Sequence, residues 1–580
     1  MSPVIDPRGG DIEDDASSPD RHSLFALTGT LLAEISFPKL ALAWIWLVAA
    51  PGLLIGLAPI LAVTWIDALR SKISAPFVEL WPALLLLATI VGGLLGGRAL
   101  FRAAESSFWS LNALAVQPGY VAFREGLRHL AERWLPAHAA AQQRDRLRGV
   151  MAAVAGAIVS GLALLVVVAA WQKAQLVADF ATFASPWQLA GVLIANSIVI
   201  VAGYLAIVAL IWGVADATIA QPRDFDRYRM KPSAGRHWRI AHLSDVHMVG
   251  ERYGFRIESG RSGPRGNLLF QQTLAELARI HARAPLDAIL ITGDLTDAGR
   301  SSEWAEFFDA ITAFPQLGER LLILPGNHDV NIVDRANPAR LDLPTSPNKR
   351  LRKLRMLSAM QAVQGARVRV VDHEHRRLGG SLEDALAPHL GGLIKFADCG
   401  KPRLSRELTN LWAGTFPLVL PPDSDDGLGI MLLNSNSDTH FSFTNALGMI
   451  SSEQVEGIEI AQAQYPRACW IIALHHHLIE YPRAAKSLSE RIGTALINGN
   501  WFIRRLRPLA RQLVLMHGHR HFDWIGECGG LSIVSAPSPV MSLAENAASG
   551  FYIHTLVITP ERGLEMLPPE RVLLERPLKR

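Results

Sequence analysis

Cysteine is almost absent from this sequence, which has three cysteines in 580 residues. Cys399, Cys469 and Cys528 are scattered, and no two of them have Cys-x-x-Cys spacing. This scarcity suits a reducing compartment and argues against a disulfide framework or a zinc site built from thiolates. We expect the three side chains to be buried as small hydrophobic groups.

A strong net charge is also missing, since the formal net charge is only +4. On a chain of this length that value does not indicate a nucleic-acid partner, and we expect none. A chain of 580 residues is longer than one hydrophobic core usually organises, so at least two domains are expected. Long uncharged stretches occur only in the first 220 residues, which indicates that the two parts face different solvents.

Four runs in this first part have no charged residue over lengths that can cross a hydrocarbon core of about 30 Å. The runs are residues 40–66, 81–97, 150–171 and 189–215, of which 81–97 is the shortest. We therefore predict an α-helical membrane domain with four spans at 39–218, preceded by a disordered acidic tail at 1–38 and followed by a linker at 219–237. A buried helical core in a soluble protein is the alternative, but four such runs exceed that pattern.

The basic residues predict the orientation of these spans, because Lys and Arg flanks are retained in the cytoplasm. They concentrate in the tail, in the loop after the second span and after the fourth span, whereas the opposite side has only Arg70, Lys72 and Lys173. Both termini and the second domain should therefore be cytoplasmic. We expect the four spans to lie in a bacterial inner membrane. Residues 119–135 predict an amphipathic helix along the inner surface, because Phe123, Leu127, Leu130 and Trp134 recur at helical spacing.

From residue 238 onward, short apolar runs each end in a polar cluster. Residues 240–243 precede Ser-Asp-Val-His, 288–292 precede Gly-Asp-Leu-Thr-Asp, 321–324 precede Pro-Gly-Asn-His-Asp, 470–474 precede three histidines, and 513–516 precede His-Gly-His-Arg-His. Such runs are typical of buried strands, and open α/β sheets hold their sites at the carboxyl ends of the strands. An ordered set of clusters at successive strand ends predicts one shared site.

The residue types in these clusters predict metal ions. Asp245 and His247 are two positions apart and can converge on one cation, while Asp294 can bridge two cations through its two oxygens. Imidazole and oxygen donors without cysteine suit manganese, iron or zinc. The remaining candidate ligands are Asn327, with a neutral amide oxygen, and His519 and His521, which can each serve a different ion.

These motifs resemble the calcineurin-like metallophosphoesterase family over residues 238–559. The family pattern D-x-H, G-D-x-x-D, G-N-H-[DE], H and G-H-x-H is found here at 245–247, 293–297, 326–329, 475 and 518–521. The resemblance implies a four-layer α/β/β/α sandwich in a domain at 238–580, with two divalent or trivalent metal ions. It implies that the first ion takes Asp245, His247, Asp294 and His521, and that the second takes Asp294, Asn327, His475 and His519.

Other roles also follow from the resemblance. His328 is implied to stabilise or protonate the leaving group, and Asp297 to orient His328 as a carboxylate–histidine pair. Within the triplet 475–477 the ligand is expected to be His475, with His476 as the alternative. The nucleophile would be water activated by the two ions, not a side chain.

The implied activity is hydrolysis of a phosphate ester, either a phosphodiester or a phosphomonoester. A lipid-linked substrate is favoured because the spans hold the domain at a membrane; the resemblance to the bacterial cyclic-nucleotide phosphodiesterase branch makes a 3′,5′-cyclic nucleotide the alternative. A catalytically silent membrane sensor or scaffold is the alternative of another class, although the intact ligand set argues against it. The oligomeric state is open.

An insertion at about 331–427 separates the third motif from the fourth. Segments of that length are usually functional or disordered, and we expect a cap or a membrane-facing element. Within it, residues 349–357 place leucines three apart among five cations. On a helix, this pattern predicts a segment that lies on an anionic membrane surface and guides an amphiphilic substrate. An ordinary helix packed on the domain is the alternative.

Overall fold

The computed structural model describes residues 50–73, 120–134, 141–178, 185–229, 236–250, 264–333, 346–399, 402–439, 445–479, 496–540, 549–559 and 563–574, with a few isolated positions between them. The chain forms two compact units, one at Ser36–Ile219 and the other from Ala220 onward. The predicted tail at 1–38 and the predicted span at 81–97 lie outside the described residues. Each unit is considered by itself below.

The N-terminal unit is helical. Its described helices are α1 (Ala50–Ile73), α2 (Ala122–Glu132), α3 (Ala141–Trp171) and α4 (Pro186–Thr218). Three segments in α1, α3 and α4 are long and apolar enough to cross a membrane: Ala50–Asp67, Gln143–Trp171 and Pro186–Thr218. They overlap the first, third and fourth predicted spans, so three of the four predicted apolar helices are present among the described residues.

Helix α2 forms where the sequence predicts an amphipathic helix. Phe123, Leu130 and Trp134 are exposed, while Leu127 packs against a small apolar cluster of the unit. Its other side carries buried ion pairs: Arg128 lies 2.9 Å from Glu125, and Arg124 pairs with Asp216 near the end of α4. Tyr120 donates a hydrogen bond to the same Asp216 carboxylate at 2.9 Å. Helix α2 is therefore held to α4 by charge as well as by apolar contact.

Glycine permits close packing between helices α3 and α4. A β-carbon added at Gly156 would lie 2.6 Å from the carbonyl oxygen of Ala209 and 2.9 Å from the α-carbon of Gly213. Small residues at such points let helix backbones approach in a membrane-type bundle. At Gly161, on the same helix, an added β-carbon would meet nothing within 4 Å.

This difference gives a matched pair of substitutions. We expect Gly156→Leu to lower the free energy of unfolding of the N-terminal unit by roughly 1–3 kcal/mol, because the new side chain forces the two backbones apart. Gly161→Leu should leave stability unchanged. Thermal unfolding of the detergent-solubilised chain measures both, and equal stability of the two variants would contradict the packing role of Gly156.

The unit from Ala220 onward is built on two sheets. In chain order, the strands are β1 (Arg223–Asp224), β2 (His237–Leu243), β3 (Ala288–Ile291), β4 (Leu321–Ile323), β5 (Arg369–Asp372), β6 (Arg377–Ser381), β7 (Leu418–Leu420), β8 (Leu428–Leu432), β9 (Cys469–Ala473), β10 (Leu513–His517), β11 (Trp524–Cys528), β12 (Leu531–Ser535), β13 (Gly550–Thr559), β14 (Gly563–Met566) and β15 (Glu570–Leu573). The order of the strands in the larger sheet is β1-β11-β12-β10-β9-β8-β7-β5-β6, and in the smaller sheet it is β14-β13-β2-β3-β4, with β15 paired to β13. Both sheets are mixed: β2, β3 and β4 pair in parallel, as do β8, β9, β10 and β12.

Helices complete this unit. They are α5 (Pro264–Arg283), α6 (Ser301–Thr312), α7 (Pro315–Gly318), α8 (Asn327–Val330), α9 (Pro347–Gln364), α10 (Leu382–Leu386), α11 (Leu390–Cys399), α12 (Pro402–Thr415), α13 (Ser452–Gln464) and α14 (Gly499–Leu506). Successive side chains of a strand point to opposite faces. Ile471 of β9 accordingly joins a core that both sheets share, while Trp470 and Ile472 join a second core with α13 and α14. The predicted α/β fold is present.

The insertion at 331–427 is part of the sheet and of the core of this unit. Its strands β5, β6 and β7 extend the larger sheet at one end, and α9 enters the main core through Leu354 and Leu357. The prediction that residues 349–357 form a helix lying on a membrane surface is wrong. Four of its five cations are buried against the domain itself, because aspartates and main-chain carbonyls elsewhere in the unit pair with them; these cations are Lys349, Arg352, Lys353 and Arg355.

The segment predicted as a linker is partly ordered on the larger sheet. Strand β1 pairs with β11, with Arg223 opposite Glu527 and Asp224 opposite Gly526. The buried Trp524 donates its indole N–H to Asp224 at 2.9 Å. Residues 220–229 therefore belong to the unit from Ala220 onward, and β1 lies at the edge of its larger sheet.

Candidate metal centre

The sequence-predicted ligands follow five strands at one edge of the two sheets. Asp245 and His247 follow β2, Asp294 follows β3, and Asn327 opens α8 after β4. His475 follows β9, and the pair His519 and His521 follows β10. Because these strands run parallel to their neighbours within each sheet, their carboxyl ends meet.

The backbone is unusual at five of these positions. Asp245, His247, Asp294, His519 and His521 have φ of 57°, 46°, 50°, 76° and 50°. Left-handed φ is uncommon outside glycine and costs roughly 1–3 kcal/mol where it is strained. Among the described residues, only one other non-glycine position, Arg376, has positive φ. The fold thus bends the chain at the places where these side chains must turn inward.

A first group consists of Asp245, His247 and His521. One potential ligand atom from each lies within 4.8 Å of the others. His521 Nε2 is 3.3 Å from Asp245 Oδ1, and the rings of His247 and His521 are 5.3 Å apart. Asp245 and His247 are fully buried, whereas His521 is partly exposed. A cation at this point would meet one carboxylate and two imidazoles.

A second group consists of Asp294, His475 and His519, again with ligand atoms within 4.8 Å of one another. His475 Nε2 lies 3.2 Å from Asp294 Oδ2, 3.0 Å from Asn327 Oδ1 and 3.0 Å from His519 Nδ1. Four potential donors therefore surround one point. The structure thus brings together the residues that the family resemblance implies for two ions, with Asp294 in the second group.

Asp294 lies between the two groups. Its Oδ2 is 3.2 Å from His475 Nε2 in the second group and 3.6 Å from His247 Nε2 in the first. Burial alone would raise the pKa of the Asp294 carboxyl, but His475 and other imidazoles nearby hold it well below its usual range. An ionised carboxylate in this position can contact two cations at once.

The rings of His475 and His247 are oriented as metal ligands need to be. His475 Nδ1 lies 2.8 Å from the carbonyl oxygen of Thr292, to which it can only donate, and His247 Nδ1 lies 3.1 Å from the carboxylate of Asp297. In both rings this leaves Nε2 to face the site. Burial and neighbouring histidines lower the pKa of His247 and His519, so both are neutral near pH 7.

A further observation indicates that these side chains suit metal ions. The Nε2 atom of His247, 3.6 Å from Asp294 Oδ2, is buried and has no hydrogen-bond partner. A buried nitrogen without a partner costs free energy, which a cation would offset. Asp294 also outweighs the effect of burial and raises the pKa of His475 to about 9. Positive charge is therefore favoured at the centre of the second group.

The three histidines of the triplet at 475–477 make different contacts. His475 is the member that lies in the second group, whereas His476 directs its Nδ1 to Ser435 Oγ at 2.9 Å. His477 is buried and its ring stacks at 5.9 Å on that of His519. The geometry therefore favours His475 over His476 as a ligand.

His328 lies beside the first group, with its ring 4.5 Å from that of His247. The expected carboxylate–histidine pair takes another form. His328 Nδ1 donates to the main-chain carbonyl of Asp297 at 2.6 Å, while the Asp297 carboxylate contacts His247 Nδ1. The turn at 294–297 thus orients His328 with its backbone, and the acid side chain is available to hold a metal ligand.

This arrangement predicts a specific effect of Asp297→Asn. We expect metal affinity to fall roughly 10–100-fold, because the partner that orients His247 loses its charge. Metal titration of the chelator-treated full chain measures this. If affinity is unchanged and only turnover falls, Asp297 acts through His328 instead.

Sequence reasoning missed several residues that support the site. Ser435 Oγ accepts the main-chain N–H groups of His475 and His476, at 3.1 Å each, and Ser538 donates to the carbonyl of Asp245 at 2.7 Å. Gly293 has φ of 92°, and a β-carbon there would lie 2.6 Å from His475 Nδ1. Ser435 had a visible signal, since Asn-Ser-Asn-Ser-Asp follows strand β8 as the other clusters follow theirs.

Comparison with known proteins identifies the region that carries this site. Residues 239–375 match the family model of the calcineurin-like phosphoesterases. This part of the chain is thus similar to the calcineurin-like phosphoesterases. The match includes Asp245, His247, Asp294 and Asn327, and it ends before His475 and the last two candidate ligands. No curated protein matches the sequence significantly.

Solved structures resemble the chain only remotely. A dimetal phosphatase from Danio rerio is 11% identical with a TM-score of 0.33, and the alignment covers 58% of this chain and 99% of that one. The NAD nucleotidase of Haemophilus influenzae is 12% identical with a TM-score of 0.29, and the alignment covers 59% of this chain and 56% of that one. Similarity at this distance says nothing about the substrate.

Proposed function

We propose that the unit from Ala220 onward hydrolyses a phosphate ester with two metal ions. The observation that carries this proposal is the pair of ligand groups joined by Asp294, whose Oδ2 is 3.2 Å from His475 Nε2 and 3.6 Å from His247 Nε2. The first ion is assigned to Asp245, His247, Asp294 and His521, and the second to Asp294, Asn327, His475 and His519. Manganese, iron and zinc suit these donors.

When bound, two such ions supply an activated water nucleophile and neutralise the phosphoryl oxygens. The protein then has to exchange a proton with the leaving group. His328 is placed for this role, because its Nδ1 donates to Asp297 O and its main-chain N–H donates to Asp294 Oδ1 at 2.9 Å. The ring is thereby oriented so that Nε2 is the atom that can give up a proton.

Metal-dependent hydrolysis by the purified full chain tests the proposal. After treatment with a chelator, the protein should be inactive on bis-p-nitrophenyl phosphate and p-nitrophenyl phosphate, and Mn²⁺ or Zn²⁺ should restore turnover as two equivalents bind. Two bound equivalents without hydrolysis of these or of natural phosphate esters would favour a silent sensor or scaffold.

The substrate is proposed to be a phosphodiester or phosphomonoester, with a lipid-linked phosphate ahead of a 3′,5′-cyclic nucleotide. The apolar helices on the same chain support the lipid-linked class. Helix α9 gives it no further support, because four of its five cations are buried. Turnover measured on phospholipids, nucleotide-sugar lipids and cyclic nucleotides separates the classes.

The metal site is proposed to face the cytoplasm of a bacterial cell. The support is the excess of Lys and Arg on the segments next to the apolar helices. A reporter that works only in the cytoplasm should be active when fused after Arg580, and inactive when inserted in the loop at 173–186. Activity of a periplasmic reporter after Arg580 would overturn this orientation.

A further inference from the structure

Two lysines of helix α9 are buried and point to one carboxylate. Lys349 and Lys353 are 1% and 7% exposed, and their Nζ atoms lie 3.0 and 2.9 Å from Asp438 Oδ1. Lys349 Nζ also donates to the carbonyl of Thr439 at 2.7 Å. Lysine is almost never fully buried unless it is paired, because an isolated buried charge is costly. We call Lys349, Lys353 and Asp438 the lysine clamp.

The lysine clamp has an unusual distribution of burial. The Asp438 side chain is 59% exposed, and contact with solvent does not fix the position of a side chain. The two ammonium groups, in contrast, need a partner. Lys353 also lies over the ring of Trp412 on α12, with 5.8 Å between Nζ and the ring centre. The clamp thus ties Asp438 and Thr439 to helices α9 and α12 of the insertion.

Residues 434–439, which the clamp holds, reach both sides of the second ligand group. Ser435 Oγ accepts the N–H of His475 at 3.1 Å. Asn436 donates from its amide to the carbonyl of Pro325, two residues before Asn327, at 3.0 Å. The segment therefore touches the backbone next to two proposed ligands of one ion, and the insertion holds the segment.

We infer that the lysine clamp positions residues 434–439 and, through Ser435, the proposed ligand His475. This inference rests on the proposed function, since it assigns the clamp to the second metal position. The clamp residues touch neither the ions nor the substrate; they are positioning residues. The insertion thereby contributes to metal affinity at the second site through a helix that supplies no ligand.

Metal binding and hydrogen exchange of the full chain test this role. Asp438→Asn should weaken one of the two metal equivalents by about 10-fold or more and leave the other unchanged. Amide exchange of residues 434–439 should become faster before metal is added. Lys353→Met should show the same changes to a smaller degree, because Lys349 remains paired with Asp438. This variant serves as the test if Asp438→Asn does not fold.

A matched control separates positioning from general stability. Arg367 follows α9, and its guanidinium donates to the carbonyl of Glu319, just after α7, at 2.6 Å and to that of Val363, in the last turn of α9, at 3.0 Å. Neither residue is next to a proposed ligand in the chain. Arg367→Met should lower thermal stability and leave both metal affinities unchanged. His475→Ala should lose the equivalent that Asp438→Asn weakens, so the double variant should lose nothing further.

The outcomes are distinct. If the parent chain binds two equivalents and hydrolyses phosphate esters while the clamp variants keep both affinities, the clamp is structural only and the proposed function stands. Equal weakening of both equivalents would also refute the positioning role. If the parent chain binds no metal, the proposed function and the clamp's role both fail.

Discussion

Asp294→Ala is expected to abolish hydrolysis and to remove bound metal. Asp294 is the residue that both ligand groups share, with Oδ2 3.6 Å from His247 Nε2 and 3.2 Å from His475 Nε2. Its removal leaves two incomplete sets of ligands and three imidazoles without their common anion. Because ligands that act as a unit are not additive, we expect a larger loss than for any residue that serves one ion.

Elemental analysis of the purified variant measures the effect directly. The control is Asp287→Ala, since Asp287 lies just before the same strand β3, at its opposite end. That exposed carboxylate only accepts the main-chain N–H of Arg239 at 2.7 Å. The control should retain two equivalents of metal. Retention of two equivalents by Asp294→Ala would refute the bridging role.

His328→Ala is expected to keep its metal and lose turnover by roughly 10²-fold or more. The residue is assigned to the leaving group, since its Nδ1 donates to Asp297 O and its main-chain N–H donates to Asp294 Oδ1. The loss should be smaller for a substrate with a good leaving group, because p-nitrophenolate departs without a proton. Kinetics on bis-p-nitrophenyl phosphate and on an alkyl phosphodiester measure this difference.

The exposed His389, substituted in the same way, controls for the general loss of a histidine and should have no effect on either substrate. An equal loss on the two diesters would show that His328 does not act on the leaving group. Loss of metal from His328→Ala would instead assign it to the ligand set. The Asp297→Asn experiment is independent of both results.

The placement of the site was predictable from the sequence because two local signals coincide there. A buried apolar run followed by a polar cluster marks the carboxyl end of a strand, and parallel pairing brings such ends together. Asp245 after β2 and Asp294 after β3 are examples, since the two strands are parallel neighbours. The sequence predicts His475 but leaves His476 open, because three adjacent histidines carry the same chemistry and only the path of the backbone separates them.

The features that the sequence did not predict depend on partners far away in the chain. The cations of α9 have the pattern of a membrane-surface helix, but their acceptors include Asp438, 85 residues beyond Lys353. Charge pattern alone cannot show such a partner. The orientation of Asp297 was missed for a similar reason, since its carboxylate is close to two histidines and only geometry decides between them. A two-residue strand such as β1 is too short to have a periodic signal.

Strand β1 has a consequence for a fragment that contains only the unit from Ala220 onward. It covers the end of the larger sheet at β11, which begins three residues after His521. An uncovered strand offers rows of unpaired main-chain groups on which other chains can add. A fragment that starts at 236 would expose β11 in this way and should self-associate beside the metal centre, whereas one that starts at 220 keeps the cover. We therefore expect β1, which follows the last apolar helix, to limit aggregation by pairing with β11.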